Sequence, residues 1–232
     1  MKKAAFYTLG CKVNQYETEA MAELFADSGY EIKEFTEVAD VYVINTCSVT
    51  NMGDRKSRQI IRRAKKLNPN AVIAVTGCYA QTAPDEVLAI EGVNLVLGTK
   101  DRKNIVTLLE ELNTESNINH VSDIMSNHEF EELQIKQYSN RTRAFIKIQE
   151  GCNQFCSYCI IPYARGPVRS RAKDDVVREI KELAHNGFKE IILVGIHVAS
   201  YGVDLGDTTL ESLIMDVDKI DGVERIRLSS IE

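Results

Sequence analysis

Cys152, Cys156 and Cys159 stand in a C-x3-C-x2-C spacing within residues 150–159, Glu-Gly-Cys-Asn-Gln-Phe-Cys-Ser-Tyr-Cys. Three thiolates this close can bind three corners of a cubane iron–sulfur cluster and leave the fourth iron without a protein ligand. An open metal position is where chemistry happens, whereas a closed shell is usually structural. A structural zinc site is the first alternative, but it calls for C-x2-C pairs and a fourth ligand. No His or Cys follows Cys159 before His185. A disulfide is the second alternative, and it leaves one of the three unpaired. The spacing favours iron–sulfur over both.

Three further cysteines, Cys11, Cys47 and Cys78, are far apart in sequence, so only the fold can bring them together. Apolar runs at 3–9, 40–46, 71–77 and 93–98 read as strands, and a Cys follows each of the first three. Between them lie helical patterns, one with Tyr16, Ala20, Met21, Leu24 and Phe25 on one side and Gly29 as its stop. Another runs through Ile105, Val106, Leu108, Leu109 and Leu112. Strands that are almost wholly apolar and alternate with helices indicate a parallel sheet covered on both faces. Right-handed crossovers bring the carboxyl ends of its strands to one edge, where open α/β sheets bind ligands. The three sulfurs are therefore expected to converge into a second three-thiolate site; the alternative is three small buried hydrophobes.

Residues 54–66 carry seven basic side chains on one predicted helix. A solvated amphipathic face, with Ile60, Ile61 and Ala64 inward, is the bland reading, and a phosphate-contacting patch beside the active edge is the sharper one. Residues 114–140 are polar and acidic with little periodicity and read as a connection between domains at 1–113 and 141–232; His120 and His128 there are assigned no role. Beyond it the pattern is strand 143–149, the cysteine loop, helix 174–186, strand 190–195, helix 209–219 and strand 225–229. This is the opening of a β/α barrel, with the cysteine loop after the first strand, where such barrels place chemistry. A whole barrel needs ~250 residues, and fewer than half that number follow residue 141, so the chain is expected to be an amino-terminal fragment.

Bulk properties agree with this picture. The chain has 232 residues, 44% hydrophobic and 27% charged, an ordinary globular composition. It has no apolar run of about 18 residues to span a membrane and no signal-peptide pattern at its start. Six cysteines without a secretory signal read as reduced, ligand-type thiols in a cytoplasmic protein. A net charge of −6 argues against a chain wrapped in nucleic acid, although charge can be local.

The three-cysteine motif, with the aromatic Tyr158 before its last Cys, resembles the signature of the radical S-adenosylmethionine enzymes. The flanks Lys-Ile-Gln-Glu-Gly-Cys152 and Cys159-Ile-Ile-Pro-Tyr-Ala-Arg-Gly, then Arg169-Ser-Arg171, resemble the methylthiotransferase branch. Gly10-Cys11-Lys-Val-Asn14, Asn45-Thr-Cys47 and Thr76-Gly-Cys78 are similar to the cluster-binding segments of that family's amino-terminal domain. The resemblance implies a Rossmann-like parallel-sheet domain followed by the first part of a radical S-adenosylmethionine barrel. It implies one [4Fe–4S] cluster on Cys152, Cys156 and Cys159, whose open iron chelates S-adenosylmethionine. There one electron releases a 5′-deoxyadenosyl radical. It implies a second [4Fe–4S] cluster on Cys11, Cys47 and Cys78, which carries the sulfur to be inserted. Tyr158 is similar to the aromatic beside the adenine; ordinary loop packing is its alternative. Gly195, His197, Ser200 and Tyr201 fall where the family has a glycine-rich segment near the methionine moiety, but Val198 and Ala199 depart from that pattern. Arg165, Arg169 and Arg171 are candidates for RNA or cofactor phosphate, against solvated loop charge.

Three sister groups share this chemistry, acting on isopentenyladenosine in tRNA, on threonylcarbamoyladenosine in tRNA, or on an aspartate of a ribosomal protein. Residues 8–19, 141–147 and 162–166 are most similar to the threonylcarbamoyladenosine group. The resemblance thus implies a tRNA substrate modified next to the anticodon, at a splayed loop base of the kind proteins read in RNA. It also implies an electron donor such as flavodoxin or ferredoxin, and a sulfur donor that the residues do not identify. A non-catalytic iron–sulfur protein is the reading outside the class.

Overall fold

The structure, a computed structural model, describes residues 1–48, 50–112, 117–133, 135 and 143–231. The domain boundaries expected at 113/114 and 140/141 lie outside those residues.

The first part of the chain runs β1 (Lys3–Thr8), α1 (Lys12–Asp27), β2 (Glu31–Lys33), β3 (Val41–Thr46), α2 (Asn51–Leu67) and β4 (Val72–Gly77). It continues through α3 (Cys78–Thr82), α4 (Pro84–Leu88), β5 (Val93–Leu97), α5 (Ile105–Glu110) and β6 (Ile118–His120). The strands form one parallel sheet in the order β2-β1-β3-β4-β5-β6. Every residue of β3 is buried, as a central strand covered on both faces requires. β6 is a correction: it lies in the segment read as a featureless connection. Three residues are too few to show a strand period, so only pairing with β5 reveals it.

The second part runs β7 (Arg143–Lys147), β8 (Gln149–Glu150), α6 (Ile161–Arg165), β9 (Arg169–Ser170), α7 (Lys173–His185), β10 (Glu190–Val194), α8 (Leu210–Asp218) and β11 (Arg225–Leu228). β7, β10 and β11 are parallel, in the order β11-β10-β7, with α7 and α8 as the crossovers. This is the start of a β/α barrel. The single strand expected at 143–149 breaks at Ile148, and β8 turns aside to pair antiparallel with β9. That detour brings the segment after the cysteine loop back under the sheet edge.

α1 joins the two parts. Its apolar positions divide between two cores rather than sharing one face. Met21 and Phe25 pack on the six-stranded sheet with Leu95, Leu97 and Ile105. Val13, Tyr16 and Ala20 pack with Ile146, Ile148, Ile180 and Leu193 of the barrel segment. The larger of these side chains contribute about 1.5–3 kcal/mol each on burial, so packing on α1 helps tie the two halves. Leu133 and Ile135 join the barrel-side core, so the connecting segment threads the joint instead of skirting it. Among the described residues no helix is long and apolar enough to cross a membrane.

Candidate functional site: two cysteine sites joined by buried charge

Cys11, Cys47 and Cys78 follow β1, β3 and β4, three neighbours in the sheet, so their loops share its carboxyl edge. A methyl group placed on Gly10 would lie 2.9 Å from Cys47 Cβ and 3.1 Å from its Sγ, so the first two loops touch. Cys11 lies close enough to Cys78 to add to the upward push that burial gives the Cys78 thiol. Cys11 is exposed, Cys47 half-buried and Cys78 buried. A depression of about 420 Å³, lined by Thr8, Gly10, Cys11, Lys12, Gln15 and Glu19, opens beside Cys11. Cys11 also occupies the N-cap of α1, where the helix dipole favours an anion.

Asn14, one turn into α1, organises these loops. Its Nδ2 donates to Leu9 O and Thr46 O, each at 2.8 Å, and its Oδ1 accepts from Cys11 Sγ at 3.5 Å. Gly77 makes the last turn before Cys78 at φ +95°. An added Cβ would sit 2.4 Å from both Asn45 Oδ1 and Thr46 O. Gly77→Ala is therefore expected to cost about 1–3 kcal/mol in folding stability, read by urea denaturation of the full-length protein. An unchanged midpoint would contradict this geometry.

Cys152, Cys156 and Cys159 lie on one loop after β8. Cys156 is exposed and the other two are half-buried. Cys159 N–H donates to Cys156 O at 2.9 Å, closing a turn that holds the C-x2-C half together. Cys152 N–H donates to Gly166 O at 3.0 Å, tying the loop to the end of α6. The left-handed Gly151, at φ +75°, allows this approach: a Cβ there would fall 1.8 Å from Pro167 O. Tyr158 is 91% exposed, so loop packing does not hold it.

Among the described residues no group of three or more Cys, His, Asp or Glu is arranged around a single ion. A cubane binds each thiolate to a different iron, which spreads the ligands further apart than one ion would. All six cysteines are free, so neither site is spent on a disulfide. The donor sets, three thiols each at the sheet edge or on the barrel-side loop, fit iron–sulfur clusters with an open iron.

Between the two sites lies a buried charge network. Arg165 donates from Nη1 to Glu17 Oε1 at 2.5 Å and to Glu150 Oε1 at 2.6 Å. Its Nη2 donates to Asn14 Oδ1 at 2.6 Å, and its Nε points at Cys78 Sγ at 3.3 Å. Arg102 reaches Glu17 Oε2 at 2.6 Å and Glu131 Oε2 at 2.7 Å. Lys147 lies 3.3 Å from Glu17 and 3.2 Å from Glu150, and Arg169 is 3.7 Å from Glu150. Burial pushes Glu17 up, but Arg102, Arg165 and Lys147 outweigh it and bring its pKa to about 2. Glu150 behaves alike: burial opposes ionisation, yet Lys147, Arg102 and Arg165 hold it well below the usual carboxylate range. Burial pushes the Cys78 thiol up, and Arg165 opposes that shift.

The three arginines expected to meet phosphate or solvent do neither. Arg165, Arg169 and Arg171 are at most 1% exposed, and each is paired with a carboxylate, Arg171 with Glu179. Arg165 and Arg169 look solvated in sequence because their carboxylate partners lie on α1 and β8, whereas the partner of Arg171 is the nearer Glu179 of α7. Asn14, Glu17, Lys147 and Glu150 carry a weak signal of their own, as polar residues at inward positions of apolar elements. After β10, Gln149 bridges the strand ends, accepting from His197 N–H at 2.8 Å and donating to Gly151 O at 2.7 Å. His197 Nδ1 meets Ser200 Oγ, and Tyr201 is buried with its hydroxyl donating to Arg171 O at 2.9 Å. Tyr201 is thus a packing residue of this joint.

Residues 3–98 match the uncharacterized protein family UPF0004, and residues 146–232 match the radical SAM superfamily. The threonylcarbamoyladenosine tRNA methylthiotransferase MtaB of Bacillus subtilis is 53% identical across 100% of this chain and 52% of its own length. The MtaB of Aquifex aeolicus is 45% identical over 99% of this chain and 56% of its own. By these relatives the chain is similar to the radical S-adenosylmethionine methylthiotransferases. Within that family, a tRNA-2-methylthio-N(6)-dimethylallyladenosine synthase of a Sulfurihydrogenibium species is 38% identical over 96% of the chain and 52% of that protein. The chain spans about half the length of the curated relatives it matches. Among solved structures, the radical S-adenosylmethionine methyltransferase TsrM of Kitasatospora setae superposes with a TM-score of 0.61 at 16% identity. The superposition covers 93% of this chain and 52% of TsrM, a likeness of fold.

Proposed function

We propose that this chain is the cluster-bearing part of a tRNA methylthiotransferase that modifies N6-threonylcarbamoyladenosine beside the anticodon. The observation that carries this reading is the packing of two sets of three cysteines, one on a single loop and one at three neighbouring strand ends, against one buried joint, within a chain whose relatives at 53% and 45% identity are MtaB proteins. The functional domains are read as 1–113 and 141–232, joined by 114–140, in a cytoplasmic protein.

Cys152, Cys156 and Cys159 would hold one [4Fe–4S] cluster and Cys11, Cys47 and Cys78 the other. When bound, the first cluster with S-adenosylmethionine supplies radical hydrogen abstraction, and the second carries sulfur, with a flavodoxin or ferredoxin as electron source and a separate sulfur donor. The residues of this chain position and shield. The Cys152 N–H bond to Gly166 and the Cys156–Cys159 turn fix the barrel-side thiols. Asn14 and Gly77 fix those on the sheet edge. Tyr158, exposed on the loop, would be the aromatic that covers the adenine of S-adenosylmethionine.

α2 offers the RNA surface. Its Ile61 and Ala64 are buried, while Arg55, Lys56, Arg62, Arg63 and Lys66 are exposed on a helix capped by Thr50, three residues after Cys47. Reversing Arg62 and Arg63 to Glu is expected to weaken tRNA binding and flatten its log–log salt dependence by about 2, since each phosphate contact contributes about 0.9 to the slope. Filter binding across a salt series reads both; unchanged affinity and slope would remove α2 from the interface.

The test of the reading is reductive cleavage of S-adenosylmethionine. The full-length, iron-reconstituted protein with dithionite should release 5′-deoxyadenosine. A loaded protein that releases none would leave a non-catalytic iron–sulfur protein.

A further inference from the structure

Arg165 stands between the two cysteine sites. Its own segment holds the barrel-side loop, because the next residue, Gly166, accepts the bond from Cys152 N–H. Its guanidinium enters the sheet-side site, with Nε 3.3 Å from Cys78 Sγ and Nη2 2.6 Å from Asn14 Oδ1, the atom that also receives Cys11 Sγ–H. The side chain has no exposed surface. α6 is itself held in place: Thr99 Oγ1 donates to Ala164 O at 2.7 Å, so α6 cannot withdraw without breaking that contact.

Charge adds a second argument. In the network the cations Arg102, Lys147, Arg165 and Arg169 face the carboxylates Glu17, Glu131 and Glu150. One buried positive charge is thus left over among the described residues. An uncompensated buried charge is costly, and proteins normally pair it. Of these four cations, Arg165 is the one aimed at a thiol. A thiolate at Cys78, or the anionic cluster it would bind, supplies the missing counter-charge.

We infer that Arg165 is a positioning residue for the sheet-side cluster: it donates to the Cys78 thiolate and raises that cluster's reduction potential, while the next residue, Gly166, anchors the barrel-side loop. Hydrogen bonds to cluster sulfurs and nearby positive charge both favour the reduced, more negative state. The inference rests on the reading that Cys11, Cys47 and Cys78 hold a cluster.

The test uses full-length protein in which Cys152, Cys156 and Cys159 are all alanine, so that only the sheet-side cluster remains. Its midpoint potential is measured by dye-mediated titration followed by electron paramagnetic resonance, with Arg165, Arg165→Lys and Arg165→Gln. The Lys variant keeps the charge and loses the Nε–H donor, so its midpoint should move lower. The Gln variant loses charge as well and should move lower again. Should Gln prevent folding, the Lys variant decides. Cluster-loaded variants with an unshifted midpoint would overturn the assignment and leave Arg165 a purely structural ion-pair partner. Absence of iron from the parent with Arg165 intact would instead sink the underlying cluster assignment, a separate outcome visible before any Arg165 change is made.

Discussion

Replacing Cys152, Cys156 and Cys159 together by alanine should strip about half the iron from the reconstituted full-length protein and abolish S-adenosylmethionine cleavage. Replacing Cys11, Cys47 and Cys78 should strip the other half and abolish methylthiolation. The activity losses should exceed ~100-fold, because changes to residues that merely support metal ligands already cost about 10–100-fold. The argument is geometric. The first set is held on one loop by its own turn and the Gly166 carbonyl, whereas the second is assembled by three adjacent strands of a different sheet. Loss from one should therefore leave the other loaded. Iron and sulfide analysis of the two triple variants reads this. A triple variant that keeps its full iron would remove that set from the ligands.

Glu17→Ala should be the most destabilising single change in the joint. Glu17 has no exposed surface and faces Arg102, Arg165 and Lys147. Removing one partner of such a buried network typically costs about 3–5 kcal/mol, because the remaining charges stay buried without compensation. The pH dependence has a definite sign. The folded pKa, about 2, lies below the ordinary carboxylate value, so the stabilisation is fully present above the unfolded pKa of about 4.3. It is lost as pH falls from there towards 2, and linkage puts the loss on the order of 3 kcal/mol. Glu17→Gln should flatten the stability profile across that window. Denaturation of the full-length protein between neutral pH and pH 3 measures it; a Gln variant with the same acid slope as the parent would place the titrating group elsewhere.

The parallel sheet and the cysteines at its strand ends are legible in sequence because buried parallel strands are continuous apolar runs and three of them, β1, β3 and β4, are each followed closely by a Cys. The barrel strands and helices are legible for the same reason, through period and stop signals such as Gly187 after α7. What sequence does not disclose is long-range. Arg165 meets Glu17 across 148 residues and Lys147 meets it across 130, so beyond the inward positions of Glu17 and Lys147 little that is local distinguishes these charges from solvated ones. The division of α1 between two cores escapes a single-face reading, since both sets of apolar residues fit one helical period. β6 is too short to carry a period. Glu131, buried against Arg102 from within an acidic stretch, looks like surface until its partner is in place.

The central claim is most directly tested by nucleoside mass spectrometry of bulk tRNA from the source organism, with the gene intact, deleted, and restored with the full-length coding sequence. Loss of the methylthio group from threonylcarbamoyladenosine on deletion, and its return on restoration, is the expected result. A threonylcarbamoyladenosine profile unchanged by deletion would contradict the proposed substrate. Loss confined to the isopentenyladenosine derivative would assign the chain to that sister group, and no change in any methylthiolated nucleoside would turn attention to a protein substrate.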